Sequence, residues 1–205
     1  MRPVPGILFF IWLATLISAA CRRESLEVNV SGIGAEVTVE RFDRQLFLMK
    51  PDTINQAIGY FYDRYGDFYD VFNVHIIGIG PASGRRYPAF LSMFINDPTN
   101  REVFSYTDRV FGDMADIGRG LSDGFRHYLY HYPDSVLPRV IGYVSGFNQG
   151  LFTVGRYIGV GLDQYLGSDC PYYDMLGTPR YQLIRKVPAK IPSDVMYAWA
   201  TSLYP

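Results

Sequence analysis

RVIGYVSGFNQGLFTVGRYIGVGL, residues 139–162, contains two runs of β-branched and aromatic residues. The runs cover 139–147 and 152–162, and the segment Asn-Gln-Gly at 148–150 joins them. Two such runs around a short turn with Asn and Gly are typical of an antiparallel hairpin. Because apolar side chains occur on both of its faces, both faces need cover. The stretch therefore predicts an α+β fold in which helices pack on a small antiparallel sheet or hairpin.

The rest of the chain supplies those helices and one further strand. Apolar positions at three- and four-residue spacing predict helices over 53–72, 98–116, 121–132, 179–187 and 193–203. Asp97 before Pro98 indicates a helix start, as does Thr53 in a capping box with Gln56. Gly66 is expected to bend or divide the first helix. Alternating residues over 37–43 predict a short strand.

Length and composition fit one globular domain. The chain has 205 residues, of which 48% are apolar and 19% are charged, and this balance argues against disorder. The formal net charge is -1 and the sequence contains no basic stripe, so we expect no nucleic-acid partner. Aromatic residues reach 16%, which suits either a core or a binding surface.

The N-terminus has the pattern of a secretory signal. Arg2 precedes the apolar run GILFFIWLATLISAA (6–20), and Cys21 follows its small residues. A Cys at this place resembles the lipidation site of bacterial lipoproteins, although Ser18 stands where Leu is usual. Several acyl chains on Cys21 would give a stable membrane anchor. The alternative is an ordinary cleaved secretory signal.

This N-terminus fixes the predicted domain organisation. We expect a signal peptide over 1–20, a lipidated tether over 21–36 and an α+β domain over 37–205. If Cys21 is acylated, Cys170 has no partner for an intrachain disulfide.

His127 and His131 raise the question of a metal site. They are four residues apart near the end of a predicted helix, so both imidazoles lie on one face. Tyr128, however, occupies the position of the general-base Glu in zinc peptidases, and His75 is the third and last His. A zinc site needs three or four ligands. We therefore predict no metal and no other cofactor, and interpret the pair as histidines favoured by the helix dipole.

Carboxylates and tyrosines follow the second strand-like run. The candidate binding loop comprises Asp163, Tyr165, Asp169, Tyr172 and Tyr173. Its two carboxylates could bind a cation or a sugar. The alternative is that they cap the loop's own backbone amides, which is a commoner role for Asp. GIGPASG (78–84) also contains Gly-x-Gly, but it does not open a strand-turn-helix unit, so it does not indicate a dinucleotide site.

Several segments together resemble one known family. The segment GVGLDQYLGSDCPYY (159–173) is similar to the signature loop of the gliding-motility lipoprotein family GldB. The other similar segments, in chain order, are VERFDRQLF (39–47), YGDFYDVF (65–72), FRHYLYHYPD (125–134), YVSGFNQG (143–150), LGTPRYQLIRK (176–186) and PSDVMYAWA (192–200). The resemblance covers essentially all of residues 37–200.

The resemblance implies a fold and an extent for the complete family domain. The fold is expected to be similar to the N-terminal half of a zincin-like metallopeptidase, without the metal motif. The family's helical second half comes after position 205, so we expect this chain to be truncated at its C-terminus. An apolar patch with Tyr197, Trp199 and Leu203 at its edge should then be exposed.

The resemblance also implies a function. It indicates a lipid-anchored, non-catalytic component of a gliding-motility and protein-secretion apparatus, facing the periplasm in the Gram-negative envelope. Its expected partners are the membrane, through acyl chains such as palmitate, and other envelope proteins of that machinery, with no small-molecule substrate. One alternative is a peptidoglycan- or glycan-binding lipoprotein, based on the candidate binding loop. A zinc-dependent hydrolase would rest only on His127, His131 and fold analogy.

Overall fold

A computed structural model describes residues 28–203, and its sheet has four strands in that part of the chain. The strands are β1 (Val39–Arg41), β2 (Arg139–Tyr143), β3 (Leu151–Val154) and β4 (Tyr157–Gly161). Their order in the sheet is β1-β2-β4-β3. Strands β1, β2 and β4 are parallel, and β3 is antiparallel to β4. The α+β class is thus confirmed, with a mixed sheet.

The hairpin lies elsewhere than predicted. It joins β3 to β4 through a tight turn at Gly155 and Arg156, with Val154 paired to Tyr157. Gly155 has a φ of 52°, which a side chain would disfavour. The Asn-Gln-Gly segment instead carries the chain from β2 to the edge strand β3, and β4 returns between them. The predicted pairing of the two runs as an antiparallel hairpin was wrong, because periodicity identifies strands but not their partners.

Helices account for most of the remaining residues. They are α1 (Phe42–Phe47), α2 (Ile54–Tyr65), α3 (Asp67–Val71), α4 (Tyr87–Asn96), α5 (Pro98–Val110), α6 (Ala115–His131), α7 (Pro171–Met175), α8 (Arg180–Leu183) and α9 (Ile191–Leu203), with a π-helix at Phe72–Ile76. Between residues 28 and 203, no helix is both long enough and apolar enough to cross a bilayer.

The predicted helix signals were right at two positions and wrong at one. Asp97 Oδ1 accepts a hydrogen bond from the Asn100 amide at 2.9 Å, so the cap before Pro98 is confirmed. Gly66, with a φ of 45°, separates α2 from α3. Thr53 forms no cap. Its hydroxyl donates to the Lys50 carbonyl at 2.7 Å, so the predicted capping box is wrong.

The two faces of the sheet bury two different cores. On one face, Val140 and Ile158 pack among apolar residues from α6 and α9. On the other face, Ile141 and Tyr143 pack against the aromatic side chains of α1 to α4. Alternate residues of a strand point to opposite faces, so β2 contributes to both cores. Its burial on both faces agrees with the apolar character of the sequence at 139–144.

Aromatic rings dominate the second core. The ring of Phe42 makes edge-on contacts with five rings at centroid distances of 5.1 to 6.0 Å, from Phe61, Tyr65, Phe68, Tyr69 and Phe72. Edge-to-face pairs of this kind add about 0.5 to 1.5 kcal/mol each beyond the burial of area. A large share of the chain's aromatic residues therefore stabilises the fold.

The helix α9 covers the first core with Trp199. That side chain is 7% exposed and its ring lies 6.5 Å from the ring of Tyr128. The expected exposure of Trp199 was wrong. Tyr197 and Leu203, on the same helix, are exposed as expected, at 73% and 40%.

Candidate functional site

The candidate binding loop leaves the sheet at the carboxyl end of β4. Because β2 and β4 are parallel, with Tyr143 level with Gly161, the loop after β2 and the loop after β4 meet at the same edge. Ligands of open α/β sheets commonly bind at this edge. Residues 144–150 and 162–173 are therefore the two segments to consider together.

Asp163 joins these two segments. Its side chain is fully buried, and its Oδ2 accepts hydrogen bonds from the backbone amides of Ser145 (3.0 Å) and Phe147 (2.7 Å). Gly146 and Phe147 have positive φ values of 74° and 68°, a conformation that is uncommon outside glycine. The carboxylate thus holds a left-handed turn in the loop after β2, a segment other than its own.

Burial governs the ionisation of Asp163. Desolvation raises its pKa from 3.8 to about 6, although hydrogen bonds from Phe147 and Ser145 act in the opposite direction. Its second oxygen, Oδ1, has no hydrogen-bond partner among residues 28–203. The neutral carboxyl is therefore favoured up to a higher pH than in an exposed aspartate.

Tyr173 fixes the loop from the other side. Its buried hydroxyl donates to the carbonyl of Asp163 at 3.0 Å and accepts from the amide of Leu166 at 2.9 Å. Burial raises the pKa of this phenol well above its ordinary value. One side chain therefore closes the turn between Asp163 and Leu166.

Tyr165 and Tyr172 connect the loop to two different helices. The hydroxyl of Tyr165 donates to Asp194 Oδ2 at 3.1 Å on α9. The hydroxyl of Tyr172 donates to Glu102 Oε1 at 2.9 Å on α5. Burial and the Glu102 carboxylate raise the pKa of Tyr172 to about 12. Both phenols remain neutral donors near neutral pH.

Asp169 is separate from Asp163. It is exposed, and its carboxylate accepts a hydrogen bond from the neighbouring Ser168 hydroxyl at 3.3 Å. Asp163 is fully buried, and no common partner links the two carboxylates. Asp163 and Tyr173 therefore bond to backbone groups of the two loops, Tyr165 and Tyr172 bond to helices α9 and α5, and Asp169 lies at the surface.

A polar cavity of about 440 Å³ lies beside this loop. Its lining residues are Gly150, Gln164, Tyr165, Tyr181, Gln182, Arg185, Lys186 and Asp194. Gln164 donates to the carbonyl of Phe147 at 2.7 Å, and the Lys186 ammonium lies 4.9 Å from the centroid of the Tyr173 ring. Desolvation lowers the pKa of Lys186. The cavity can thus offer hydrogen-bond donors, acceptors and an aromatic surface.

Sequence reasoning missed the residues that complete this region. Ser145, Gln164 and Lys186 lie in segments interpreted as strand, loop and helix, and no spacing rule pairs them with Asp163. A usable signal is the parallel order of β2 and β4, since it places the residues after each strand at one edge.

A second polar network lies at the end of β1. Arg41 forms a bidentate ion pair with the buried Asp43, at 2.8 and 2.7 Å, and also contacts Asp108 at 2.9 Å. Paired and fork-like contacts of this kind are strong. Because each charge has a partner, this network is suited to a structural role: it connects helix α5 with strand β1 and helix α1.

The histidine pair lies at the C-terminal end of α6. His127 is half-buried and His131 is exposed, with its ring against the ring of Tyr130 at 5.1 Å. His75 lies in the π-helix. Within residues 28–203 no three His, Cys, Asp or Glu side chains group in a way that could hold a metal ion. Cys170 is buried there without a disulfide partner, whereas Cys21 lies outside the described residues.

Comparison with known proteins gives one positive finding. A family model described as gliding motility protein GldB matches residues 23–205. Neither the curated proteins nor the solved structures include a match. The matched range contains all of the segments that resemble the family, including the loop that Asp163 and Tyr173 hold. This chain therefore belongs to the GldB family of gliding motility proteins.

Proposed function

We propose that this protein is a lipid-anchored, non-catalytic component of the gliding-motility machinery and its associated secretion apparatus. The observation that carries the proposal is the family match over residues 23–205. The domain faces the periplasm of a Gram-negative envelope and acts by binding other envelope proteins of that machinery. The candidate loop fits this role, because its tyrosines and Asp163 bond to the protein's own backbone and carboxylates.

Anchoring depends on Cys21. The Cys21 thiol attacks the diacylglyceryl carbon of a membrane phospholipid and releases the phosphate headgroup. Hydrolysis of the peptide bond before Cys21 removes the signal peptide over 1–20, and the new amino group takes an acyl chain from a second phospholipid, which leaves as the lysophospholipid. Several chains together give a stable membrane anchor, where one would bind reversibly. Mass spectrometry of the mature N-terminus tests this step. A free, unmodified amine at any residue other than Cys21 would contradict it.

Complementation of a gliding bacterium tests the role in motility. A strain that lacks its own family member should spread on agar again when it expresses this chain. The Cys21→Ala variant should accumulate in the soluble periplasmic fraction and restore little spreading. An exposed control substitution, Ser105→Ala, should restore spreading fully. The proposal fails if the wild-type chain is stably expressed and lipidated but restores nothing.

The cavity beside the loop favours a second candidate function, binding of peptidoglycan or another glycan. Sugars are commonly held by an aromatic ring together with planar polar side chains, and Tyr181, Gln182 and Asp194 line this cavity of about 440 Å³. Co-sedimentation with purified peptidoglycan tests it. Binding that Tyr181→Ala abolishes and Tyr60→Ala leaves unchanged would support this function, since Tyr60 is exposed elsewhere.

A further inference from the structure

A cleft on the helical side of the domain is separate from the candidate loop. Its volume is about 590 Å³, which is within the range of ligand pockets. Helix α2, helix α3, the π-helix and the segment 81–83 form its walls. That segment belongs to GIGPASG, the Gly-x-Gly motif to which the proposed function gives no role.

The cleft combines apolar walls with an aromatic ring. Ile58, Val74, Pro81 and Ala82 line it, together with Tyr62, whose side chain is 52% exposed. Gly59 also lies in the wall, and a Cβ at this position would meet no atom within 4 Å. The space is therefore open, and it suits a flexible aliphatic chain.

Two carboxylates give the cleft its charge. Asp63 and Asp70 both line it, and neither forms an ion pair or a side-chain hydrogen bond among residues 28–203. The arginines at 85 and 86 follow the wall segment along the chain, but they are exposed and do not line the cleft. The cleft thus has two negative charges without a neutralising cation from the described chain.

The wall itself has an unusual backbone. Residues Phe72–Ile76 form a π-helix, a conformation found frequently at functional sites. Val74 of this turn lines the cleft, whereas the neighbouring Asn73 is fully buried beside the hydroxyls of Tyr69 and Tyr87 and does not line it.

From these observations we propose that the cleft binds an organic cation, namely an ammonium or guanidinium group on an apolar stem. The stem fills the apolar space, the charge pairs with Asp63 and Asp70, and the face of Tyr62 adds a cation–π contact. An arginine or lysine side chain of a partner protein has this chemistry, and so does a free aliphatic amine. The anchoring and glycan-binding proposals do not depend on this site.

Titration of the full-length, 15N-labelled chain in detergent micelles tests the site. The probes are N-acetyl-arginine amide, its neutral isostere N-acetyl-citrulline amide, 1,5-diaminopentane and the peptide acetyl-Leu-Arg-Leu-amide. We expect saturable chemical-shift changes confined to residues 58–63, 70–74 and 81–83 with the cationic probes. The citrulline probe should bind at least tenfold more weakly.

Variants identify the charges responsible. The double variant Asp63→Asn, Asp70→Asn should bind the arginine probe at least tenfold more weakly. Asp134→Asn is a matched exposed control outside the cleft, and it should change the affinity for this probe less than twofold. Tighter binding of the tripeptide than of the diamine identifies a protein side chain as the source, and the reverse identifies a free amine. Equal binding of arginine and citrulline, or shifts outside the cleft, would overturn the proposal. Spectra of the double variant without ligand report on whether it is folded.

Discussion

The carboxylate of Asp163 accepts a hydrogen bond of 2.7 Å from the backbone amide of Phe147, a residue sixteen positions earlier in the chain. This contact holds together the segments that follow two parallel strands. Phe147 has a positive φ, so the carboxylate stabilises a backbone conformation that a bulky side chain disfavours. The loop that resembles the family signature is therefore built around one buried acid.

Ionisation of Asp163 gives a pH-dependent stability. Its pKa is about 6 in the folded chain against an ordinary 3.8, so between these values the folded state binds more protons than the unfolded state. The free energy of unfolding therefore decreases as the pH rises from about 4 to about 6. This contribution should fall by about 2 kcal/mol between pH 4.5 and pH 7.

Urea unfolding of wild type and Asp163→Asn at several pH values measures this contribution. As the pH rises, the free energy of unfolding of wild type should decrease relative to that of Asp163→Asn, because the asparagine cannot ionise. Asp169→Asn, which removes the exposed carboxylate of the same loop, is the matched control variant and is measured in the same way. A difference that stays constant from pH 4.5 to pH 7 contradicts the assignment.

Removal of the Tyr173 hydroxyl should loosen the same loop. Tyr173→Phe leaves the Asp163 carbonyl without its donor and the Leu166 amide without its acceptor, both in buried positions. We expect a loss of about 1 to 3 kcal/mol in the free energy of unfolding. Tyr181→Phe, where the side chain is 73% exposed, should change it by less than about 0.5 kcal/mol in the same thermal or urea measurement.

Ser122 ties the start of the folded unit to α6. Its Oγ accepts the amide of Val37 at 3.0 Å and lies 3.4 Å from the carbonyl of the same residue, in a buried position. Ser122→Ala should therefore cost about 1 to 2 kcal/mol and increase amide exchange at Val37. Ser105→Ala removes only a local bond to the Arg101 carbonyl on an exposed helix face. If both variants lower the free energy of unfolding equally, the hydrogen bonds to Val37 contribute no more to stability than the exposed bond of Ser105.

Metal analysis tests the interpretation of the histidine pair. The protein purified without added zinc should contain well under one zinc per chain, because two imidazoles on one helix turn do not complete a site. His127→Ala should leave the metal content and the melting temperature unchanged. About one zinc per chain that is lost in His127→Ala would instead favour the zinc-dependent hydrolase.

The sequence predicted several helices and strands but not which strands pair with each other. The helix cap at Asp97 and the division of the helix at Gly66 could be predicted, because both depend on residues that are close together in the sequence. The partners of β2 and β4 could not be predicted, because a parallel pair depends on the course of the whole chain between them. Thr53 has the right spacing from Gln56 for a cap, yet its hydroxyl bonds to the Lys50 carbonyl in a 3₁₀ turn.

The candidate loop shows the same limit. Asp163 was recognisable as a noteworthy carboxylate, and a capping role was one of the alternatives. That it caps the turn at Ser145 to Phe147 follows only from the parallel pairing of β2 with β4. Burial of Asp163 likewise depends on tertiary packing, so its raised pKa could not be read from the sequence.

The pairing of Gly159 with Phe152 gives the sharpest test of the β3–β4 hairpin. The two residues are directly opposite each other in the antiparallel register, and a Cβ on Gly159 would overlap ring carbons of Phe152. The Phe152 ring is confined, since it stacks on Phe68 at 5.4 Å and contacts Tyr143 at 5.6 Å. Gly159→Ala should therefore cost about 1 to 3 kcal/mol or more, as overpacking of a tight core does.

A double-mutant cycle separates this clash from a general effect of the backbone. Phe152→Leu alone should lower the free energy of unfolding. The double variant Gly159→Ala, Phe152→Leu should lose less free energy of unfolding than the sum of the two single losses, because the smaller side chain makes room for the new methyl. Gly59→Ala is the matched control on exposed helix α2, where a Cβ meets nothing, and it should stabilise by about 0.5 to 1 kcal/mol. Additive losses in the cycle would mean that Phe152 is not the neighbour of Gly159, and the hairpin register would be wrong.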